Sequence, residues 1–185
     1  MVTYYERRLP HWHPPGQELF ITWRLHGSLP VHVRPPAETE SSGQAFVRYD
    51  RALDKAQTGP LWLKDPRVAE AILVALRDAQ RRKLFALRAY AVMANHVHVL
   101  LAPRAPLERV TQQIKGASAH EANLVLGRTG APFWQTESFD HWVRNPAEWQ
   151  KIRAYIERNP VAAGLVLKPE DWPWSSASNP IELLE

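Results

Sequence analysis

The sequence predicts an α+β fold, with an antiparallel sheet carrying helices packed on it. Three observations lead there. The chain has 185 residues, which suits one domain at about 150 residues per domain. β-Rich runs and amphipathic helical stretches alternate along it, which excludes an all-α or all-β layer structure. Two of the runs are separated only by Ala94 and Asn95, the spacing of an antiparallel hairpin.

Each element has its own signal. Residues 1–18 are basic and proline-studded and read as a loop-rich arm to a single domain spanning 1–185. Residues 19–25 are rich in β-branched and aromatic side chains and read as the first strand. Residues 30–60 show no period, and a connection of that length suggests a short helix within 46–57. A clear helix follows: Asp65 can cap it, Pro66 suits its first position, and Val68, Ile72, Ala75, Leu76 and Ala79 repeat at helical spacing. Residues 84–93 and 96–101 are the hairpin strands, with Asn95 tolerant of the turn conformation. Residues 106–126 form a second helix through Leu107, Val110, Ile114 and Leu124, closed by Gly127. Residues 138–144 read as a short fourth strand. The last helix starts with Asn145 as N-cap, Pro146 at the first position and Glu148 placed for a capping box. It is expected to stop at Asn159, because Pro160 disfavours continuation. The order strand, helix, hairpin, helix, strand, helix is that of a ferredoxin-like packing with helices on one side of the sheet. Residues 177–185 form an acidic tail.

Composition narrows the function. There is no cysteine, so disulfides, thiolate zinc sites and cysteine nucleophiles are excluded, and a reducing compartment fits. No apolar run reaches the roughly 18 residues of a membrane helix, and the opening lacks a signal-peptide core. A cytoplasmic protein with no membrane partner is the expectation. Twenty-three Lys+Arg against nineteen Asp+Glu give +4. The basic residues bunch at Arg7-Arg8, Arg81-Arg82-Lys83 and 144–158, which is either a polyanion footprint or a set of solvated helix faces.

Two constellations can carry chemistry. His96-Val97-His98 lies in a run that reads as a central strand, so both imidazoles share a face and Val97 and Val99 take the other. They can grip one metal ion, or they can be satisfied structural histidines. A second His-x-His, His11-Trp12-His13, stands between Pro10 and Pro14, where no ladder is expected to orient it. Tyr155 and Asn159 are four residues apart on the last helix and lie one above the other, beside an apolar stripe of Trp149, Ile152 and Ile156. A tyrosine hydroxyl is a usable nucleophile and an amide oxygen a ligand for a hard cation; a rim aromatic with its hydroxyl in water is the other reading. Combined, two histidines and an amide leave open positions on a divalent ion that can hold a phosphate oxygen, with a tyrosine beside it to attack phosphorus in line.

Residues 93–101, Met-Ala-Asn-His-Val-His-Val-Leu-Leu, followed by Tyr155-Ile156, Asn159-Pro160-Val161 and Ala163-Gly164-Leu165-Val166, resemble the HUH single-tyrosine transposases, the IS200-like superfamily. The closer resemblance is to the branch called REP-associated tyrosine transposases. The stretches 9–16, 24–30 and 172–176 also look like that branch, so the resemblance runs from about Arg7 to Ser176. It implies a bacterial, nucleoid-associated transposase that cuts and rejoins single-stranded hairpin DNA of REP type. Tyr155 would become joined to the 5′ phosphate, leaving a 3′ hydroxyl, while His96, His98 and Asn159 hold Mg²⁺ or Mn²⁺. Reversal of that phosphotyrosine bond would let DNA transposition and recombination proceed without ATP. Lys115 and Arg144 match positions that are commonly basic in the family and would contact phosphate. Trp12 is the candidate for base stacking, whereas Trp134, Trp142 and Trp149 read as core. A monomer or a homodimer is implied. Ala94 departs from the proline usual before the asparagine, and touches the turn, not a ligand. The rival readings are a metal-dependent phosphohydrolase that uses water, and a hairpin-binding protein without catalysis.

Overall fold

The structure, a computed structural model, describes residues 3–6, 10–13, 16–29, 42–55 and 59–180. In chain order its elements are β1 (Thr3–Glu6), β2 (Pro10–His13), β3 (Leu19–Arg24), α1 (Ser42–Asp54), α2 (Pro66–Arg81), β4 (Phe85–Val92), β5 (His96–Pro103), α3 (Leu107–Val125), β6 (Phe139–Trp142) and α4 (Pro146–Ala162). Arg7-Arg8, residues 30–41 and the end of the acidic tail, 181–185, lie outside the described residues, as does the Trp12 side chain.

Four strands form an antiparallel sheet in the order β4-β5-β3-β6, which makes β5, the strand of His96 and His98, an interior strand. The hairpin closes where the sequence places it: Val92 pairs with Val97, and Met93 N–H donates to His96 O at 2.8 Å. The register between β4 and β5 shifts between Leu87 and Ala89. An extra residue in one strand inverts which side chains face which side. Phe85 and Leu87 therefore share a face with Tyr90 and Val92, and Ala89 and Ala91 turn to the opposite one.

Both faces are covered, which corrects the expectation of helices on one side. Leu19, Ile21, Trp23, Val97, Val99 and Leu101 meet the apolar stripes of α2 and α3 in the larger core. The reverse face carries Phe20, Ala89, Ala91 and Leu100 under Ile156 of α4, with Phe46 of α1 at its margin. The alanines are small enough for α4 to lie close to the strand, and long side chains there would hold it off. Trp134, Trp142 and Trp149 pack in these cores, as expected.

Two sequence expectations change further. The arm contains an antiparallel pair, with Tyr5 opposite His11 and Thr3 opposite His13, so the second His-x-His does lie in a ladder; Pro10 sits at the first position of its strand, where a missing N–H is tolerated. Helix α4 runs past Pro160 to Ala162. A proline withholds only its own N–H, and the bonds beyond it persist: Ala163 N–H reaches Asn159 O at 2.9 Å. The helix ends instead in a Schellman closure, with Leu165 N–H on Pro160 O, Gly164 N–H on Val161 O, and Gly164 at φ +70. At its start Asn145 Oδ1 caps Glu148 N–H at 2.9 Å, while the Glu148 carboxylate reaches back to Arg144 N–H at 2.7 Å.

The edge of β4 is closed by the segment after α4. Val92 N–H donates to Trp174 O, Ser176 N–H to Tyr90 O, and Trp172 Nε1 to Val92 O. The buried Tyr90 hydroxyl donates to Asn179 O at 3.0 Å, and burial pushes its pKa up to about 12. An unfolded tyrosine titrates near 10, so the neutral phenol stabilises the fold fully below pH 10, and this contribution is lost as pH rises toward 12. Two pKa units correspond to about 3 kcal/mol. Urea unfolding of wild type should therefore lose up to about this much more stability between pH 10 and 12 than Tyr90→Phe does. Parallel losses would remove Tyr90 as the cause.

Candidate metal and nucleophile site

His96 and His98 project from β5 onto the face covered by α1 and α4. They are 1% and 0% exposed, and their Nε2 atoms stand 3.0 Å apart. The outer ring nitrogens are both engaged. His96 Nδ1 lies 2.7 Å from Asn95 Oδ1, and Asn95 Nδ2 donates to Leu53 O at 3.0 Å. An amide oxygen only accepts, so the His96 proton sits on Nδ1 and Nε2 keeps its lone pair. His98 Nδ1 lies 2.7 Å from Thr22 Oγ1, directly across the β3–β5 ladder. Burial and the neighbouring His98 push the His96 pKa down to about 3 in spite of Asp50. The imidazole is neutral at physiological pH, the form that binds metal.

The residue that sequence reasoning missed is Asp50, on α1. Its carboxylate is 3% exposed, with Oδ1 at 3.5 Å from His96 Nε2 and 3.3 Å from His98 Nε2. Burial pushes the Asp50 pKa up, but His98, His96 and Asn159 outweigh it and hold the carboxyl below its usual range. Asp50, His96 and His98 form a group able to hold a metal ion. The donor chemistry fits one. Two imidazole nitrogens and a carboxylate oxygen converge, and both Asp50 Oδ1 and Asn159 Oδ1 are buried without a hydrogen-bond partner. One turn later, Asp54 Oδ1 stands 3.8 Å from His96 Nε2; burial and the Asp50 charge raise its pKa to about 7.

Helix α4 brings Tyr155 and Asn159 to the same place. Asn159 Nδ2 contacts Asp50 Oδ2 at 3.3 Å and His98 Nε2 at 3.2 Å, and rotation of the amide exchanges nitrogen for oxygen at that position. The half-exposed Tyr155 donates its hydroxyl to Asp50 Oδ2, which replaces the reading of a rim tyrosine bonded to water. Phe20, Phe46 and His98 pack around its ring with centroids 5.7–6.2 Å away. These rings fix the aromatic body and leave the hydroxyl at the polar cluster.

The other sequence candidates lie elsewhere. Lys115 Nζ donates to Gln135 O at 2.7 Å, to Thr136 O at 3.0 Å and to Ser138 Oγ at 3.3 Å, so it ties α3 to the segment leading into β6. The exposed Arg144 guanidinium stands 3.3 Å from Glu148. His11 and His13 are on the separate two-stranded sheet. Among the described residues, no helix is long and apolar enough to cross a membrane.

A sheet-mounted histidine pair, joined by a helix-borne carboxylate, defines a metal-competent site with a tyrosine hydroxyl beside it. The profile described as Transposase IS200 like matches residues 61–159, and the chain belongs to that family of transposases. The matched span includes both histidines, Tyr155 and Asn159, and leaves out Asp50. Among solved structures, one of a REP-associated tyrosine transposase bound to a REP hairpin is similar over 95% of this chain and 84% of its own, at 20% identity and TM-score 0.59. Another, of a Deinococcus radiodurans R1 protein named as a candidate transposase, covers 80% of this chain and 93% of its own, at 19% identity and TM-score 0.44. The search of curated proteins gave no match.

Metal binding is tested by titrating Mn²⁺ calorimetrically. His98→Ala and Asp50→Ala should abolish the binding seen with wild type, while His11→Ala and His13→Ala leave it intact. Thr22→Val, which only frees His98 Nδ1, should weaken it about 10–100-fold, the usual cost of losing an outer-shell partner. Unchanged affinity in Asp50→Ala would remove that carboxylate from the site.

Proposed function

We propose that this transposase cleaves and rejoins single-stranded hairpin DNA of REP type through a covalent bond between Tyr155 and a 5′ phosphate. The observation that carries the reading is the hydrogen bond from the Tyr155 hydroxyl to Asp50, beside two inward-facing imidazoles. The hairpin substrate is supported by the structural likeness to the REP-associated tyrosine transposase bound to a REP hairpin.

Each side chain has a role in this reaction. His96, His98 and Asp50 would hold a divalent ion, Mg²⁺ or Mn²⁺, with the Asn159 amide oxygen as a further donor. When bound, the ion polarises the scissile phosphate and stabilises the charge that develops on it. A free phenol titrates near 10 and is mostly protonated at neutral pH. Asp50 Oδ2 orients the Tyr155 hydroxyl and takes its proton as the phenolic oxygen attacks phosphorus. The bond from phosphorus to the 3′ oxygen breaks, and that oxygen leaves as the 3′ hydroxyl after gaining a proton. The phosphotyrosine keeps the energy of the broken bond, so attack by a 3′ hydroxyl reverses the step and joins strands. Phe20 and Phe46 limit the travel of the ring, so the hydroxyl arrives already placed. Arg144, exposed at the start of α4, would contact phosphate of the bound strand.

The decisive assay uses a labelled hairpin oligonucleotide with Mn²⁺ and denaturing electrophoresis. Wild type should retain label as a covalent adduct that maps to the peptide containing Tyr155, and Tyr155→Phe should give none. Tyr155→Phe also loses a hydrogen bond to a carboxylate, so about 1–3 kcal/mol of stability should go with it, and the assay is run well below its melting temperature. Cleavage without an adduct would establish the water-using phosphohydrolase instead, and tight binding without cleavage the non-catalytic binder.

Substrate form gives a second check. The same sequence as a perfectly paired duplex should be cut far less than the folded single strand, because an in-line attack by a ring held this firmly needs an unpaired, bendable phosphate. Equal cutting of duplex would contradict the assignment.

A further inference from the structure

Helix α4 carries Tyr155 but grips the sheet lightly. Of its residues only Ile156, Asn159 and Pro160 are buried, whereas α2 sinks Val68, Ile72, Leu73 and Leu76 into the larger core. The seat beneath α4 includes Ala89 and Ala91, which let a helix come close but give its side chains no ridges to lock between. A helix seated this way rolls about its axis unless something else stops it. The Tyr155 hydroxyl, at the far end of a long side chain, would travel most.

Glu18, one residue before β3, stops it, and the chemistry above makes no use of this carboxylate. Both of its oxygens are engaged: Arg88 Nε donates to Oε1 at 2.8 Å, and Trp149 Nε1 donates to Oε2. The Glu18 carbonyl also accepts from Val143 N–H at 2.8 Å, two residues before the Asn145 cap. One residue therefore fixes both the backbone entering α4 and a side chain near its start. Arg88 stands where the β4–β5 register shifts, and such an irregularity re-aims a side chain. Trp149 and Ile156, seven residues apart, face the sheet together. The Arg153 guanidinium lies 5.7 Å from the Trp149 ring centroid. Arg153 also bonds Glu157, which accepts from Ser176, and Ser176 is itself paired to β4. The ion pair of Glu18 with Arg88, its side chains 23% and 32% exposed, contributes little to stability. What it supplies is direction.

We propose that Glu18 is a positioning residue for the tyrosine step: by joining Arg88 of the sheet to Trp149 of α4, it sets the roll of the helix and brings the Tyr155 hydroxyl onto Asp50. The inference rests on the strand-transfer reading for what the placement accomplishes, and on geometry alone for the placement itself. Glu18 acts through Trp149 and has no hydrogen bond or ion pair to the histidine cluster. A displacement of about 1 Å at an attacking atom can cost about 100-fold in rate, so a small roll is enough to matter.

The test reads placement and rate separately. The full chain is labelled with 3-fluorotyrosine, and the Tyr155 fluorine resonance is identified by its absence in Tyr155→Phe. Asp50→Ala marks where that resonance stands once the hydroxyl has lost its partner. Without DNA or metal, Glu18→Ala should move the resonance from the wild-type position toward that mark. Trp149→Phe, which removes the N–H donor, should do the same. Glu18→Gln, whose amide oxygen still accepts from Trp149, should move it less. With saturating labelled hairpin and Mn²⁺, single-turnover adduct formation should slow about 10–100-fold in Glu18→Ala, while affinity for the hairpin in EDTA is unchanged. Should Glu18→Ala fail to fold, the two milder variants carry the comparison. The proposal is overturned if the resonance keeps its wild-type position in the folded variants, if their adduct rate equals that of wild type, or if the rate falls only through weaker hairpin binding. A resonance that moves in a protein whose wild type never forms an adduct would keep Glu18 as the holder of Tyr155 and reject the strand-transfer chemistry.

Discussion

The structure depends on burying two imidazoles side by side on one strand of an otherwise apolar sheet. A polar group taken out of water without a partner costs roughly 1–3 kcal/mol, so the pair must be satisfied from several directions. β3 supplies Thr22 to one ring, the turn supplies Asn95 to the other, and α1 supplies Asp50 to the side where both Nε2 atoms point. Each provider is held by something else. Asn95 is bonded to the end of α1, Thr22 lies in the β3–β5 ladder, and Asp50 is gripped by Asn159 and Tyr155 from α4. The cluster is thus a junction of four elements, and the geometry of the site follows from the same contacts that position the helices.

That junction also explains the covering of the second face. Phe20, Ala89, Ala91 and Leu100 form an apolar seat around the polar pair, and α4 can reach it only because the shift in register at Arg88 turns two alanines toward it. With α1 at the margin, the aromatic rings of Phe20 and Phe46 close over Tyr155. The larger core with α2 and α3 holds the sheet rigid from behind. A tyrosine carried on a packed helix and histidines carried on an interior strand are placed more accurately than loop residues would be.

Much of this was legible in the chain. The hairpin around Asn95, the cap at Asn145, the helical stripe from Val68 to Ala79 and the i, i+4 pairing of Tyr155 with Asn159 are local signals, and each element forms where its signal stands. Asp50 was hidden for a physical reason. It lies on a helix embedded in a stretch without period, and its meaning comes from a contact 48 residues away on another element. The stop at Pro160 was misplaced because a proline late in a helix costs one hydrogen bond, while the glycine that ends it sits four residues on. Lys115, which the resemblance marks as a phosphate contact, reaches three oxygen acceptors ahead of β6, a use no local pattern encodes. Helices on both faces could not be read off either, since a strand buried on both sides shows no alternation.

The central claim is that both Nε2 atoms and the Asp50 carboxylate serve one cation facing Tyr155. Crystals grown or soaked with Mn²⁺ and measured at its absorption edge test this directly. One anomalous peak should stand within bonding distance of His96 Nε2, His98 Nε2 and an Asp50 oxygen, on the side of β5 that faces α4. A peak bound to His11 and His13 instead, or full catalytic turnover in crystals with no peak at the β5 pair, would contradict the account.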